Sequence, residues 1–465
     1  MSLTSHLIKI FERVIQKKLV EYLEQHNLIS SSQHGFRRGH SCLSELLDHY
    51  NELIDNLGAI QDSDVIYLDF SKAFDKVDHD LLIKKLQRYG ITGKLLRWIK
   101  SFIFNRKQKV VVDGCHSYIG QVLSGIPQGS VLGPLLFLLF VNDMNQALEH
   151  STLRMFADDS RLVQAIDPIH PENGMNMLNS DIDRILIWSE ENNMELNESK
   201  FEFLSYKVHW EVPGVNMRLL KELPFASLAF ERSYATKSGV TLNETDYVVD
   251  LGITLPNGFS FEYHINTIAH KANQKCFWIL SVFTVRDPYV MLNLFKSLVL
   301  SVIEYCSPLW IPTNIEQIKT LESVQRRFTS KIIGMKELSY WERLKKLKLL
   351  SLQRRRERFA IFYLWKIING KVPNSFHITW HYSDRRGIVA DIFALPCRVA
   401  KINTAYDNFF KVLGPRLWNK IPKYINIITC FDTFKMKLDN YLLTLPDCPP
   451  VEGYTTANNN SLLVL

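Results

Sequence analysis

Two adjacent carboxylates, Asp158 and Asp159, lie inside Leu153-Arg-Met-Phe-Ala-Asp-Asp-Ser-Arg-Leu-Val-Gln-Ala-Ile166. Apolar residues flank the pair on both sides, which reads as a strand, a tight Asp-Asp turn and a second strand. A hairpin tip with two carboxylates is an oxygen-rich place for a hard divalent cation such as Mg²⁺. Asp-Asp is also an ordinary turn pair, so the chemistry needs a third group. Asp69 offers one, near the end of the short apolar strand Val65-Ile-Tyr-Leu-Asp-Phe70. Three carboxylates side by side in a sheet suffice for two divalent ions about 3.5–4 Å apart, which stabilise the attacking and leaving oxygens of phosphoryl transfer. Spacing along the chain does not bring the three together; the fold must do that.

The elements that would position them follow from periodicity. Leu7, Ile8, Ile10, Phe11, Val14, Ile15, Leu19 and Leu23 recur at helical spacing over residues 5–28, up to Asn27. After a polar connector from Ser30, Ser41 is the expected N-cap of a helix through Leu43, Leu46, Leu47, Tyr50, Leu53 and Ile54. A helix is expected from Asp78, with Leu81, Leu82 and Leu86 on one face. Segments 107–113 and 117–123, split by Asp113-Gly114, predict a hairpin. Ser124-Gly-Ile-Pro-Gln-Gly-Ser130 is a rigid turn before an apolar helix from Val131 to Val141. A helix over 172–194 and a strand over Phe201–Tyr206 follow, then an irregular stretch over 207–246. From 262 to about 369 the pattern is almost wholly helical, and Asn458 to Ser461 is expected to fray.

The chain has 465 residues, enough for two or three domains, and its 46% apolar and 22% charged content is that of a globular protein, not a disordered one. The net charge of +7 points to an anionic partner only where it is clustered. It is clustered in 326–358, which holds twelve Lys or Arg against three Glu and no Asp. That bias predicts tracking of a nucleic-acid backbone. Trp310 and Trp341 are read as core rather than as base-stacking residues. Seven cysteines without Cys-x-x-Cys spacing indicate neither a zinc ribbon nor a disulfide framework. No basic-then-apolar leader opens the sequence, and the apolar run Leu135 to Val141 is too short to cross a bilayer. The expected setting is intracellular, nucleus or cytoplasm, with no membrane partner.

The order Tyr67-Leu-Asp-Phe-Ser-Lys-Ala-Phe-Asp75, Gly125-Ile-Pro-Gln-Gly-Ser130, Phe156-Ala-Asp-Asp159, Asn197-x-x-Lys200 and Leu251-Gly-Ile253 strongly resembles the reverse transcriptases of non-LTR (LINE) retrotransposons, of the jockey and chicken-repeat type. The resemblance extends to Gln33-His-Gly-Phe-Arg-Arg-Gly39, Glu304-Tyr-Cys-Ser-Pro-Leu-Trp310, Leu321-Glu-Ser-Val-Gln-Arg-Arg327 and Trp418-Asn-Lys-Ile-Pro422, nearly the whole chain. It implies an α+β right-hand polymerase fold: fingers and palm with an antiparallel sheet over 1–206, an irregular link or insertion over 207–250, a basic helical thumb over 251–370 and a C-terminal extension over 371–465. It implies RNA-directed DNA synthesis, with an RNA template, a DNA primer or target and dNTPs as partners. The implied cofactor is two Mg²⁺ ions, with Mn²⁺ as an alternative. On this resemblance Asp69, Asp158 and Asp159 are the metal-binding catalytic carboxylates. Lys200 stands near the triphosphate as proton donor to the departing pyrophosphate. Phe74 blocks a ribose 2′-OH. Phe70, Gly125, Pro127, Gln128 and Gly129 complete the nucleotide pocket, and Arg37 and Arg38 reach template or phosphate. His79 is read as a hydrogen-bonding group at a helix start rather than as a catalytic one.

Three departures set limits. Relatives carry an endonuclease ahead of the polymerase, and nothing here corresponds to it. The family's basic stretch before this start is not in the sequence, and each lost charge-assisted contact would cost about 1.5–3 kcal/mol. Residues 207–246 exceed the usual link. The second expectation is therefore an element-derived protein that binds nucleic acid with weak or no catalysis. A metal-dependent phosphohydrolase fits the carboxylates but leaves Phe74 and Gln128 without a role.

Overall fold

The computed structural model describes residues 5–207, 232–312, 314–392, 407–449 and 460–464. The chain divides into two compact units, Met1–Glu45 with Ile60–Val208 and Asn216–Asp246, and Leu46–Ala59 with His209–Val215 and Tyr247–Leu465.

The first unit is built on β1 (Asp62–Leu68), a strand buried at all seven positions. Short strand pairs at β2 (Arg106–Gln108) with β5 (Gly120–Val122), and β3 (Val111–Val112) with β4 (Cys115–His116), form the expected ribbon. Its tip, Asp113-Gly114, has both residues at positive φ, as a two-residue turn of this kind requires. Strands β6 (Thr152–Phe156), β7 (Asp159–Ile166) and β8 (Glu202–Tyr206) join β1 in a four-stranded sheet of order β6-β7-β1-β8. The pairings of β1 with β7 and β8, and of β6 with β7, are all antiparallel.

Helices carry the rest of this unit. Helix α1 (His6–Gln25) forms, but Leu7, Ile8, Ile10, Phe11 and Val14 stay exposed while Leu19 and Leu23 are buried. Its periodic stripe is therefore only partly core. Helix α2 (Cys42–Gly58), which belongs to the second unit from Leu46 onward, begins after Ser41, whose hydroxyl accepts from Ser44 N–H at 3.2 Å. Helix α3 (Ala73–Lys76) is one turn; α4 (His79–Arg88) starts at the Asp78 cap, which accepts from Leu81 N–H at 2.9 Å. Helix α5 (Gly93–Ile103) precedes the ribbon. Helix α6 (Gly133–Val141) is apolar all round and buried all round except at Pro134, as a helix at a core's centre must be. Its approach is held by the buried Glu12, whose carboxylate accepts from Val131 and Leu132 N–H at 2.7 and 2.9 Å. Helix α7 (Pro171–Glu191) ends at Asn192, followed by Asn193 at positive φ.

The sequence places a link after 206, and the structure corrects this. Residues 208–231 of that link lie outside the described residues. Residues 232–246 belong to the first unit and hold β9 (Tyr234–Ala235) and β10 (Thr241–Leu242). The reason is electrostatic: Asp62 and Asp64 are buried at the start of β1, and Arg232 ion-pairs with both while Tyr234 donates to Asp64. Buried carboxylates of this kind need such partners. Burial still raises the Asp64 carboxyl above its ordinary value, against the pull of Arg232 and the Tyr234 and Ser205 bonds.

The second unit is helical where the sequence predicts, over Glu262–Val282, Pro288–Leu294, Ile315–Thr329, Tyr340–Leu347 and Leu352–Ile368. A π-helical turn occupies Phe295–Leu300. Leu251-Gly252 is the tip of a hairpin between Tyr247–Asp250 and Ile253–Pro256, and Tyr305 OH donates to Leu251 O at 2.9 Å. Trp418 is buried and donates to Ile388 O at 2.8 Å, while the Asn419 amide pairs with both N–H and O of Ala390. The tail differs from its expected fraying: residues 458 and 459 lie outside the described residues, but Asn460 is buried and bonds Asp447 at 2.6 Å. Among the described residues no helix is long and apolar enough to cross a membrane.

Candidate active site

The sheet register aligns the three carboxylates. The last pair of the β1–β7 ladder is Leu68 with Ser160. Asp69 follows the one and Asp159 precedes the other, so they stand one antiparallel step further on, at the same sheet end. The turn is offset by one residue from the expected Asp-Asp: Phe156 pairs with Asp159, and the two loop residues are Ala157 and Asp158. Ala157 carries the positive φ of 61°. Asp158 is thus at the tip and Asp159 opens β7.

The charges interact across this geometry. Burial raises the Asp158 carboxyl above its ordinary value, opposed by a bond to its own backbone N–H, and the charge of Asp69 adds to the rise. Asp159 is likewise raised by burial, then by Asp158; Arg161 pulls it down, while Asp69 and Glu45 push it up. Two residues along β7, Arg161 is buried and ion-paired with the buried Glu45. At Asp69 the cation is Lys200, whose Nζ lies 3.1 Å from Oδ2. Lys200 is placed there because Asn197 N–H donates to Asp69 O at 2.8 Å and Lys200 N–H donates back to Asn197 O at 2.9 Å.

Residues 70–79 and 124–130 are welded together beside this end. Gly125 N–H donates to Val77 O and Ile126 N–H to Phe74 O, both at 2.8 Å. A Cβ on Gly125 would stand 2.7 Å from Asp75 O, and its φ is 84°, so only glycine fits. The buried His79 lies 2.8 Å from Gly125 O through Nε2, a structural bond at a helix start. Phe74 is half-buried and stacks on Phe137 of α6 with centroids 4.3 Å apart, which fixes its ring. Gln128 is exposed and donates to Asp75 Oδ1 at 3.1 Å. Pro127 is buried and Gly129 exposed with φ 90°. Phe70 is half-buried and bridges to Leu196.

Two assignments are corrected. Arg37 does not face an open groove: its guanidinium bonds Glu24 through two atoms at 3.2 Å, and also Ser30 O and Gln33 O. It is a brace that ties the 30–37 loop to α1 and to two of the loop's own carbonyls. Arg38 is exposed. The basic run 326–358 is also largely architectural at its C-terminal end. Arg354, Arg356 and Arg358 are buried, and Arg355 and Arg358 pair with Glu304 and Asp439. Arg327, Lys331, Lys336, Lys345, Lys346 and Lys348 remain exposed. Trp310 is buried and Trp341 half-buried, consistent with core roles.

Residues 1–217 match the family described as "Reverse transcriptase (RNA-dependent DNA polymerase)". The chain is 24% identical over 340 residues to the probable RNA-directed DNA polymerase from transposon X-element of Drosophila melanogaster, covering 72% of this chain and 35% of that one. It is 28% identical over 291 residues to the RNA-directed DNA polymerase from mobile element jockey of Drosophila funebris, covering 60% and 29%. Apo telomerase from Candida tropicalis shares 10% identity, covering 79% of this chain and 59% of that one, at a TM-score of 0.39, a likeness too loose to bear on function. The residues that carry the three carboxylates thus lie within the stretch that matches a reverse transcriptase domain. The chain is similar to the RNA-directed DNA polymerases of these mobile elements, and it spans about a third of their length.

Divalent ions belong to the chemistry of this family. The donor set fits them: hard carboxylate oxygens, with the Asp158 and Asp159 carboxyls raised first by burial and then by neighbouring negative charge, which a cation would relieve. Among the described residues no group of three His, Cys, Asp or Glu side chains is already closed tightly enough to hold a metal ion. The register aligns the backbone of the three, and the cations that act on them are Lys200 at Asp69 and Arg161 near Asp159.

The sequence missed one participant of this end of the sheet. Gln33 is buried and bonded to the turn itself, and nothing in its periodicity marks it out. Its place in Gln33-His-Gly-Phe-Arg-Arg-Gly39 was the available signal.

Proposed function

We propose that this chain is an RNA-directed DNA polymerase of a non-LTR retrotransposon, transferring nucleotides from dNTPs to a primer 3′-OH on an RNA template. The observation that carries the reading is the β1–β7 register, which sets Asp69 beside the Asp158-Asp159 hairpin. Asp69, Asp158 and Asp159 are the residues that would hold two Mg²⁺, or Mn²⁺ in their place. Bound there, such ions supply charge neutralisation for the oxygens of phosphoryl transfer.

The chain's own residues set up the rest. Phe74, locked on Phe137, presents a ring edge against the sugar and rejects a 2′-OH by size. Gly125, with no room for a side chain, and the exposed Gln128-Gly129 let an incoming nucleotide approach the backbone. Lys200 holds a proton near Asp69 for the departing pyrophosphate. The helices over 262–368 act as the thumb and 371–465 as an extension, with the exposed lysines of 331–348 offered to phosphates.

The test is primer extension on an RNA template with Mg²⁺. Wild type should incorporate dNTPs and Asp158→Ala should not. A folded wild type that binds heteroduplex with strong salt dependence but incorporates nothing would favour the binding-protein reading instead.

A further inference from the structure

We propose that Gln33 is a positioning residue for the carboxylate turn, a side-chain clamp that fixes where Asp158 points. This rests on the polymerase reading for its purpose, though not for its geometry. The turn has a problem that its own sequence does not solve. Ala157 sits at φ 61°, a conformation that costs an L-residue roughly 1–2 kcal/mol and that glycine or asparagine usually takes. It is also buried, so its N–H and C=O require partners.

Gln33 supplies both. Its Oε1 accepts from Ala157 N–H at 2.9 Å, and its Nε2 donates to Ala157 O at 3.2 Å. Oε1 also accepts from Gly35 N–H at 2.7 Å. Two N–H groups converging on one atom fix which end of the amide is oxygen. The loop is stitched to the same hairpin by backbone: His34 N–H donates to Met155 O and Met155 N–H to Ser32 O, both at 2.9 Å. Gly35 closes the approach, since a Cβ there would stand 2.4 Å from Ala157 N. Arg37 anchors the loop to α1 through Glu24 and grips Gln33 O. The clamp therefore acts one residue before Asp158 and two before Asp159, at the only backbone position where the turn direction is set by an unfavourable φ.

Positioning through a neighbour has a distinctive signature. Groups that orient metal ligands without touching metal are typically worth roughly ten- to a hundredfold in metal affinity. Gln33→Met keeps the length of the side chain and removes all three amide bonds. Full-length wild type and variant are compared by Mn²⁺ titration read by electron paramagnetic resonance, and by primer extension across a Mg²⁺ series. The variant should bind Mn²⁺ roughly ten- to a hundredfold more weakly. Its half-maximal Mg²⁺ for incorporation should rise by the same factor, with heteroduplex affinity unchanged and much of the rate regained at saturating Mg²⁺. A merely structural residue would lower the melting temperature and the rate without moving the metal dependence. Unchanged Mn²⁺ affinity overturns the proposal, and so does a wild type that binds no Mn²⁺. A wild type that binds Mn²⁺ but incorporates nothing sinks the polymerase reading alone, and the Mn²⁺ comparison still decides for or against the clamp. If Gln33→Met does not fold, Gln33→Asn takes its place: the amide remains but falls short of Ala157, and the same shift, smaller, is expected.

Discussion

Two regions of this molecule gather charge, and they treat it in opposite ways. At the end of the β1–β7 ladder three carboxylates repel one another and Lys200, itself mostly exposed, is the cation bonded to Asp69. Along the helix Leu352–Ile368, four arginines are buried or nearly so, and carboxylates answer them from several segments. Arg355 pairs with Glu304, Arg358 with Asp439, and Arg354 bonds the carbonyls of Pro446 and Asn460. The second region is neutralised from within and is architecture. The first is left short of positive charge, and that deficit is what a metal-dependent site requires. Sequence alone made both look functional, because it counts charges without their partners.

Removing a charge should therefore have opposite consequences in the two places. If Asp158 holds metal as proposed, Asp158→Asn should cut dNTP incorporation by at least about a thousandfold, since a metal-binding oxygen is worth several kcal/mol in the transition state. It should leave the urea midpoint unchanged or raised, because one of three repelling charges is gone. A fall in stability comparable to the loss of activity would erase the contrast. Glu304→Ala should do the reverse. It strands Arg355, whose side chain is only 18% exposed, and should cost about 3 kcal/mol, read by urea unfolding. Lys200→Met tests the boundary between the two cases. An exposed pair contributes within about 1 kcal/mol to stability, yet loss of a proton donor should slow incorporation by about a hundredfold. If its stability cost matched that of Glu304→Ala, Lys200 would be structural.

The same contrast explains what was legible in advance. The helices, the ribbon with its Asp113-Gly114 tip and the strand ending near Asp69 follow from local periodicity and turn chemistry, which a linear sequence carries. The three candidate carboxylates came from motif order, and their alignment is a matter of register that no local pattern encodes. Arg37 was misread because its partner, Glu24, lies on a preceding helix. The arginines of 354–358 were misread because their partners lie as far as 106 residues away, on segments whose placement is tertiary. The role of 232–246 was hidden for a like reason: Asp62 and Asp64 look like a polar strand start until Arg232 reaches them. Gln33 was passed over because a glutamine in a loop is bland until one sees the backbone it grips.

A finer comparison concerns a carboxylate neutralised by a proton rather than by a cation. Glu322 is fully buried in the second unit, where it accepts from Tyr340 OH at 2.7 Å and from Gln353 N–H at 2.9 Å. Burial nevertheless pushes its carboxyl up to about 7, against the pull of Arg356 and of those two bonds. The unfolded chain releases this proton near 4.5 and the folded one holds it until about 7. The contribution to stability is therefore whole below the lower value and drains away as pH rises through the upper one. Wild type measured against Glu322→Gln should lose urea midpoint between about pH 5 and about pH 8, because the amide keeps a similar shape and has no proton to lose. Parallel midpoints for the two proteins across that window would mean that Glu322 is ionised throughout and held by Arg356. The second unit would then neutralise this carboxylate, like Glu304, by charge alone. A drop confined to wild type would mean that its interior uses protons as well as arginines, whereas the open carboxylates of the first unit keep their charge for a ligand.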